Sequence, residues 1–158
     1  MPVGAAEALE RETTVPGLLK ALCVELTREL DAGGCNLSRV IGQLLVDLAE
    51  HAPDGRQIQL GRGYLIPDYP VTAQVIETRE PRAVSLLDED PDPYEAALLE
   101  ELGFDSLLMV PLVVGPLAWG LLEIYGSDGR VFTREDAARA VTISELAARV
   151  LERLQAEL

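Results

Sequence analysis

The sequence predicts a single α+β domain built on a central antiparallel sheet of five to six strands. Three observations predict it. Ser106–Val114 and residues 118–125 are long apolar runs joined by a short turn, which reads as the hairpin at the centre of a sheet. Residues 35–51 alternate at period two around Gly42-Gln43, a second hairpin. Helical patterns bracket the sheet on both sides. At 158 residues the chain has the length of one domain, and with 48% hydrophobic residues it can bury a full core without metals or disulfides.

The elements follow in order. Residues 1–14 are Ala/Glu-rich and show no clear apolar face, so they read as a flexible or loosely helical lead-in; residues 15–158 read as the domain. Val15-Pro16 opens a helix on which Leu19, Leu22, Leu26 and Leu30 recur at helical spacing, with Gly33-Gly34 as its stop. Alternation then begins at Cys35, with Leu37, Arg39 and Ile41 on one side of the strand. Gly42 is the first residue of a two-residue link, where its tolerance of positive φ suits a type II′ turn. Leu44, Val46 and Leu48 are expected to share a face. Pro53-Asp54-Gly55 makes a turn before a short strand over residues 57–60. Residues 61–69 carry two glycines, one proline and two tyrosines with no period, the composition of a lid.

A short helix is expected from Pro70 to about Thr78 and a short strand over residues 83–86. The acidic run at residues 88–92 is a loop whose last member, Asp92, caps a helix. Pro93 takes the first helical position and Glu95 the capping-box position, with Gly103 as the left-handed stop. In the strand that follows, Pro111 must lie at an edge or bulge, because it has no N–H to give to a ladder. Thr133 and Asp136 form a second capping box and open a helix that runs to the end. Ala140, Ile143, Ala147, Val150 and Leu154 are spaced 3-4-3-4 on it, as in the seam of a coiled coil.

Composition excludes several function classes. The net charge of −14 repels nucleic-acid phosphates and anionic membranes, so neither is expected as a partner. The longest apolar run, residues 106–120, is interrupted by two prolines and is too short for a membrane span. The first residues lack the pattern of a signal peptide, which leads to the expectation of a cytoplasmic protein. Cys23 and Cys35 make no disulfide framework and read as small core residues. Neither a phosphate-binding loop nor a zinc-ligand spacing is present, so no metal is expected. The loop at 88–92 lacks the order of an EF-hand.

The succession of elements resembles the GAF domain. Its sharpest pieces are Arg79-Glu80-Pro81, Ser106-Leu107-Leu108 leading to Val110-Pro111-Leu112, Trp119-Gly120-Leu121-Leu122-Glu123, and Phe132-Thr133 followed by Asp136. The resemblance covers roughly residues 18–155. It implies a GAF- or PAS-like layout, with the N- and C-terminal helices on one face of the sheet and loops and short helices on the other, enclosing a small-molecule pocket. It implies a sensory or regulatory role without catalysis, and no catalytic residue is assigned. The cofactor signatures of the family are absent. Cyclic-nucleotide binders carry an Asn-Lys pattern, and the one lysine here is Lys20 in the first helix. Bilin binders place histidine after the attachment cysteine, whereas Cys35 precedes Asn36 and Cys23 precedes Val24. Haem binders need an axial histidine, and the only one is His51, at a strand end.

Two groups of residues are expected to carry function. Arg39, Tyr64, Tyr69, Glu123 and Tyr125 are candidates for the pocket. Glu123 sits between Leu122 and Ile124 in a central strand, where a partly buried carboxylate needs a partner, and Arg39 is one candidate for it. Leu19, Leu22, Leu26, Ile143, Ala147, Val150, Leu151 and Leu154 are candidates for a homodimer interface, since an apolar stripe of that width cannot stay exposed. A downstream signalling protein would then read the state of the helices. Two alternatives stay open: a dimerisation adaptor without a ligand, and a small redox or hydrolytic enzyme built on Cys35, Glu123 and the tyrosines.

Overall fold

In the computed structural model, which describes residues 3–59 and 61–157, helix α1 (Val3–Glu10) and helix α2 (Val15–Glu29) precede the hairpin β1 (Gly34–Ile41) and β2 (Leu44–His51). Strand β3 (Gly63–Leu65), a 3₁₀ turn (Ile66–Asp68), helix α3 (Pro70–Thr78), strand β4 (Arg82–Ser85) and helix α4 (Pro93–Leu102) follow. Strands β5 (Ser106–Val114) and β6 (Leu117–Gly126) lead to α5 (Arg134–Ala156). Among the described residues the strands form one sheet in the order β3-β2-β1-β6-β5-β4, with every pairing antiparallel.

The sheet separates two cores. On one face Cys35, Leu37, Leu122 and Ile124 meet Leu18, Leu22 and Leu26 of α2 and Ile143 and Leu151 of α5. On the other, Leu107, Met109, Leu121 and Tyr125 meet Val75 of α3, Leu99 of α4 and Phe104. This is the expected α+β layout of terminal helices against short helices and loops.

Local chemistry sets the boundaries. Thr133 Oγ1 accepts from Asp136 N while Asp136 Oδ2 accepts from Thr133 N, a complete capping box that fixes the start of α5. Asp92 accepts from Tyr94 N and Glu95 N at the start of α4, and Gly103 ends that helix at φ +81°. Gly42 (φ +60°) and Gly115 (φ +59°) open the two-residue turns of the hairpins, where an L side chain would be strained. Strand β4 begins at Arg82, opposite Met109, so β5 has one open side at Pro111, where the missing N–H breaks no ladder.

Several expectations are corrected. Helix α2 stops at Glu29 with Asp31 in the left-handed region, ahead of Gly33-Gly34. The lead-in is a packed helix rather than a loose one: Ala5 and Leu9 are fully buried against the α2–α5 layer. Residues 57–59 form no strand, and Leu60 lies outside the described residues. The backbone N–H groups of Ile58 and Gln59 bond to the Glu50 carboxylate, each at 2.8 Å, so a side chain takes the place of a ladder. In β2 the register passes from Leu37–Ala49 to Ser38–Asp47, so Leu48 is an extra, unopposed residue. Leu45 and Asp47 consequently point into the loop-face core, while Leu44 and Leu48 are 37% and 45% exposed.

The proposed subunit seam is also placed differently. Leu19, Leu22 and Leu26 on α2, and Ile143, Ala147, Val150, Leu151 and Leu154 on α5, are all buried within one chain. The 3-4-3-4 stripe is satisfied by this chain's own sheet and helices.

One contact yields a direct test of the central strands. A Cβ at Gly120 would lie 2.6 Å from the backbone oxygen of Ser38 on the neighbouring strand. That atom cannot yield without moving β1 and β6 apart. Gly120→Ala is expected to lose about 1–3 kcal/mol of stability in urea titration. A loss within error of zero would show that the strands pair less tightly than this.

Candidate functional site

The site is built on the loop face from residues of β6 outward. Glu123 stands opposite Asn36 of β1 and Met109 of β5, in the middle of the sheet. Alternation puts Tyr125 on the same face. The Tyr125 hydroxyl donates to Glu123 Oε2 at 3.2 Å, Gln59 Nε2 donates to the Tyr125 hydroxyl at 2.7 Å, and the Tyr64 hydroxyl donates to Gln59 Oε1. All three donors point toward Glu123, so the chain of bonds ends on its carboxylate. Phe104 stacks on the Tyr125 ring at 4.8 Å and holds it flat.

Beside Glu123 a narrow cavity opens, lined by Leu45, Tyr64, Tyr69, Thr72, Glu95, Leu98 and Glu123, whose volume of about 10 Å³ is room for one water-sized group. Tyr64 and Tyr69 meet edge to face at 5.6 Å and form one wall. Glu95 is almost wholly buried and accepts from the Thr72 hydroxyl at 2.7 Å. It turns inward instead of completing the expected box on α4. Asp47 lies on the same sheet face with Oδ1 accepting from the Ser38 hydroxyl, while Oδ2 has no hydrogen-bond partner among the described residues. The Asn36 amide nitrogen is likewise buried without a partner.

Glu123 and Glu95 thus share the lining, Asp47 is near enough for its charge to act on Glu123, and among the described residues no basic side chain lies in the lining. Their pKa values record it. Burial, then the charges of Glu95 and Asp47, push Glu123 up to about 8. Burial raises Asp47 to about 6, against the stabilising bond from Ser38. Glu95 is raised by burial as well. Arg62 stands at the rim, 5.6 Å from the Tyr64 ring and 3.5 Å from Glu101.

Four of the five expected pocket residues come together: Tyr64, Tyr69 and Glu123 in the lining and Tyr125 behind them. Arg39 does not. It projects to the helix face, where its guanidinium lies 4.3 Å from the Trp119 ring and donates to the Val40 and Trp119 carbonyls, each at 2.8 Å. The register sets Arg39 opposite Gly120, three residues from Glu123, and the faces alternate. Arg39 is a clamp on Trp119, not the partner of Glu123. Cys23 and Cys35 are fully buried in the helix-face core, and burial drives the Cys35 thiol well up, away from the reactive thiolate.

A family model for the GAF domain matches residues 15–151. The chain belongs to the GAF domain family. No curated protein sequence matches it. Among solved structures, this GAF domain is similar to the chromophore-binding domain of Stigmatella aurantiaca phytochrome P1, with a TM-score of 0.79 and 15% identity over 94% of this chain and 57% of that one. It is similar to the chromophore-binding domain of the R. palustris bacteriophytochrome RpBphP3, at TM-score 0.85 and 12% identity, covering 98% of this chain and 61% of that one. It also matches the Stigmatella aurantiaca phytochrome photosensory core module at TM-score 0.81 and 13% identity, covering 97% and 36%. The chain spans about three-fifths of the first two. At such identities the likeness shows the fold. Among the described residues no helix is long and apolar enough to cross a membrane.

Proposed function

We propose that this GAF domain is a non-catalytic sensory module that binds a small molecule in the loop-face cavity and reports it through the helix layer. The observation that carries the reading is Glu123: a central, buried carboxylate opening onto a cavity without an ion-pair partner among the described residues. A purely structural role favours an apolar residue or a paired charge there. Catalysis is disfavoured because the cysteines lie on the other face, and His51 is far along β2 from the lining.

The residues do not suit the chromophore of the phytochrome neighbours. A bilin carries carboxylates, and this cavity presents acids. Neither cysteine is on the loop face to attach one. The output would leave through α2 and α5, which pack on β1, β2 and β5 from the opposite side. A homodimer would have to use their outward faces, where Val141 and Leu146 are half-buried. The partner that reads this layer would be a downstream signalling protein in the same compartment, which we take to be the cytoplasm.

Native mass spectrometry of the freshly purified protein, repeated after denaturation, tests both halves. A retained mass that is lost on denaturation is the expected result for a sensor, and a twofold polypeptide mass is expected for the dimer. Bare polypeptide mass, with no small molecule stabilising the protein in a broad metabolite screen, would replace the sensor with the adaptor reading.

A further inference from the structure

We propose that the cavity takes the ammonium head group of a small organic amine between the carboxylates of Glu123 and Glu95 and the rings of Tyr64 and Tyr69. The proposal rests on the reading of the cavity as the ligand site and specifies its chemistry.

The lining is one-sided in what it offers. Ionised carboxylates only accept hydrogen bonds, and tyrosine rings present a negative face. Two acids line the space and a third, Asp47, stands behind Glu123. Among the described residues Asp47 is 3% exposed with an oxygen that nothing donates to, and Glu123 is 6% exposed with a single neutral donor, the Tyr125 hydroxyl. Buried acceptors left short of donors are costly, and a cation bearing several N–H groups supplies both the donors and the charge. Tyr64 and Tyr69 can close over it by cation–π attraction. An anion at the same place would need Glu123 to stay protonated and would have Arg62, at the rim, as its cationic neighbour.

The cavity has room for one water-sized group, which limits the buried part to a single ammonium. Tyr69 and Leu98 also line an adjoining groove with Pro93, Tyr94, Ala97 and Glu101. An aliphatic chain can therefore run outward along an apolar path with one more acid, Glu101, at its side. A diamine or an amine-bearing guanidine matches that arrangement.

Binding must also be linked to protons. Glu123 is faced by Tyr125 on its own strand, Asp47 from β2, Asn36 from β1, Met109 from β5, Tyr64 from β3, Tyr69 beyond the 3₁₀ turn and Glu95 from α4. None of these is a cation. With the cavity empty, Glu123 therefore holds its proton at neutral pH; a bound cation ionises it, and the proton leaves to solvent.

The test is calorimetric titration of the full chain with putrescine and with agmatine, at about pH 6 and about pH 8, with butyrate as the anionic counterpart. Binding of at least one cation is expected, roughly fiftyfold tighter at the higher pH, with proton release read from heats in buffers of different ionisation enthalpy. Butyrate should give no heat. Glu123→Gln is expected to weaken the cation at least about tenfold while melting cooperatively, and Tyr69→Ala, at the rim, to weaken it without touching the buried acids. No heat from either cation at millimolar concentration overturns the proposal, as does equal binding by wild type and both variants. A retained mass of other chemistry in native mass spectrometry, with no cation bound, removes this proposal and keeps the sensor. Neither cation nor retained mass removes both.

Discussion

Glu123→Gln is expected to raise the melting temperature at pH 8–9 and to leave it unchanged near pH 4.5. The sign follows from where the proton sits. In the unfolded chain Glu123 ionises at an ordinary 4.5; in the folded protein it does so at about 8. Below the lower value both states hold the proton and the residue is neutral to stability. Between the two values the folded state keeps a proton that the unfolded state has lost. Stability therefore falls as pH rises through this window, and the full penalty stands above the folded value. Glutamine has nearly the same shape, cannot ionise, and can still accept the Tyr125 hydroxyl bond. The gain at pH 8–9 is on the order of 5 kcal/mol, or about 10–20 °C in Tm for a chain of this length. Calorimetric scans of both proteins across this range check it. A difference between the two proteins that stays flat with pH would show that Glu123 is already ionised and compensated at neutral pH, by groups other than those in the cavity wall.

A ligand-binding role for Glu123 would come at a cost to the fold. An empty cavity that keeps three carboxylates together is less stable than one with an amide in the centre. Its retention is understandable if something occupies the cavity, because a bound cation reverses the penalty by mass action. Stability and binding should then move in opposite directions in the same variant, a combination that a purely structural glutamate does not produce.

Glu123 and Tyr125 are legible in the sequence because a carboxylate and a phenol stand among Leu121, Leu122 and Ile124 in a strand buried on both faces. Tyr64 and Tyr69 are legible from the aperiodic, glycine-bearing segment that holds them. Their neighbours are not. Asp47 is hidden because alternation draws the eye to Leu44, Val46 and Leu48 on one face, whereas the core face of β2 carries Leu45 and Asp47 and the bulge leaves Leu48 unopposed. Glu95 is hidden by its position three residues after Asp92, where a capping role accounts for it fully. Arg39 misleads for a third reason. Alternation says which residues of one strand share a face, but pairing Arg39 with Glu123 also needs the β1–β6 register, and that register depends on contacts distant in sequence. The stripe on α5 misleads by partner. A period of 3-4-3-4 states that a helix buries one side, and a sheet and two helices of the same chain fill that side as well as another subunit would.

Leu9→Ala is expected to destabilise the whole domain by about 3 kcal/mol, lowering Tm by roughly 6–12 °C. The family match begins at residue 15, which sets α1 outside the region the family shares. The packing sets it inside the cooperative unit. Ala5 and Leu9, four residues apart, lie one above the other on α1 and are fully buried between α2 and α5. Arg153 of α5 also reaches the Glu10 carbonyl at 3.4 Å. An eight-residue helix has negligible stability alone in water, so α1 exists only through this contact. Truncating Leu9 removes transfer free energy and leaves a void that α2 and α5 cannot close without repacking against the sheet. Denaturant titration followed by helical circular dichroism and by Trp119 fluorescence should give coincident transitions, both shifted in the variant. A loose lead-in predicts a different result, with a change within about 0.5 kcal/mol and Trp119 untouched. That outcome would put the boundary of the folded unit back at residue 15. The expected one makes α1 part of the same helix layer as α2 and α5, the layer through which a signal from the cavity would have to pass.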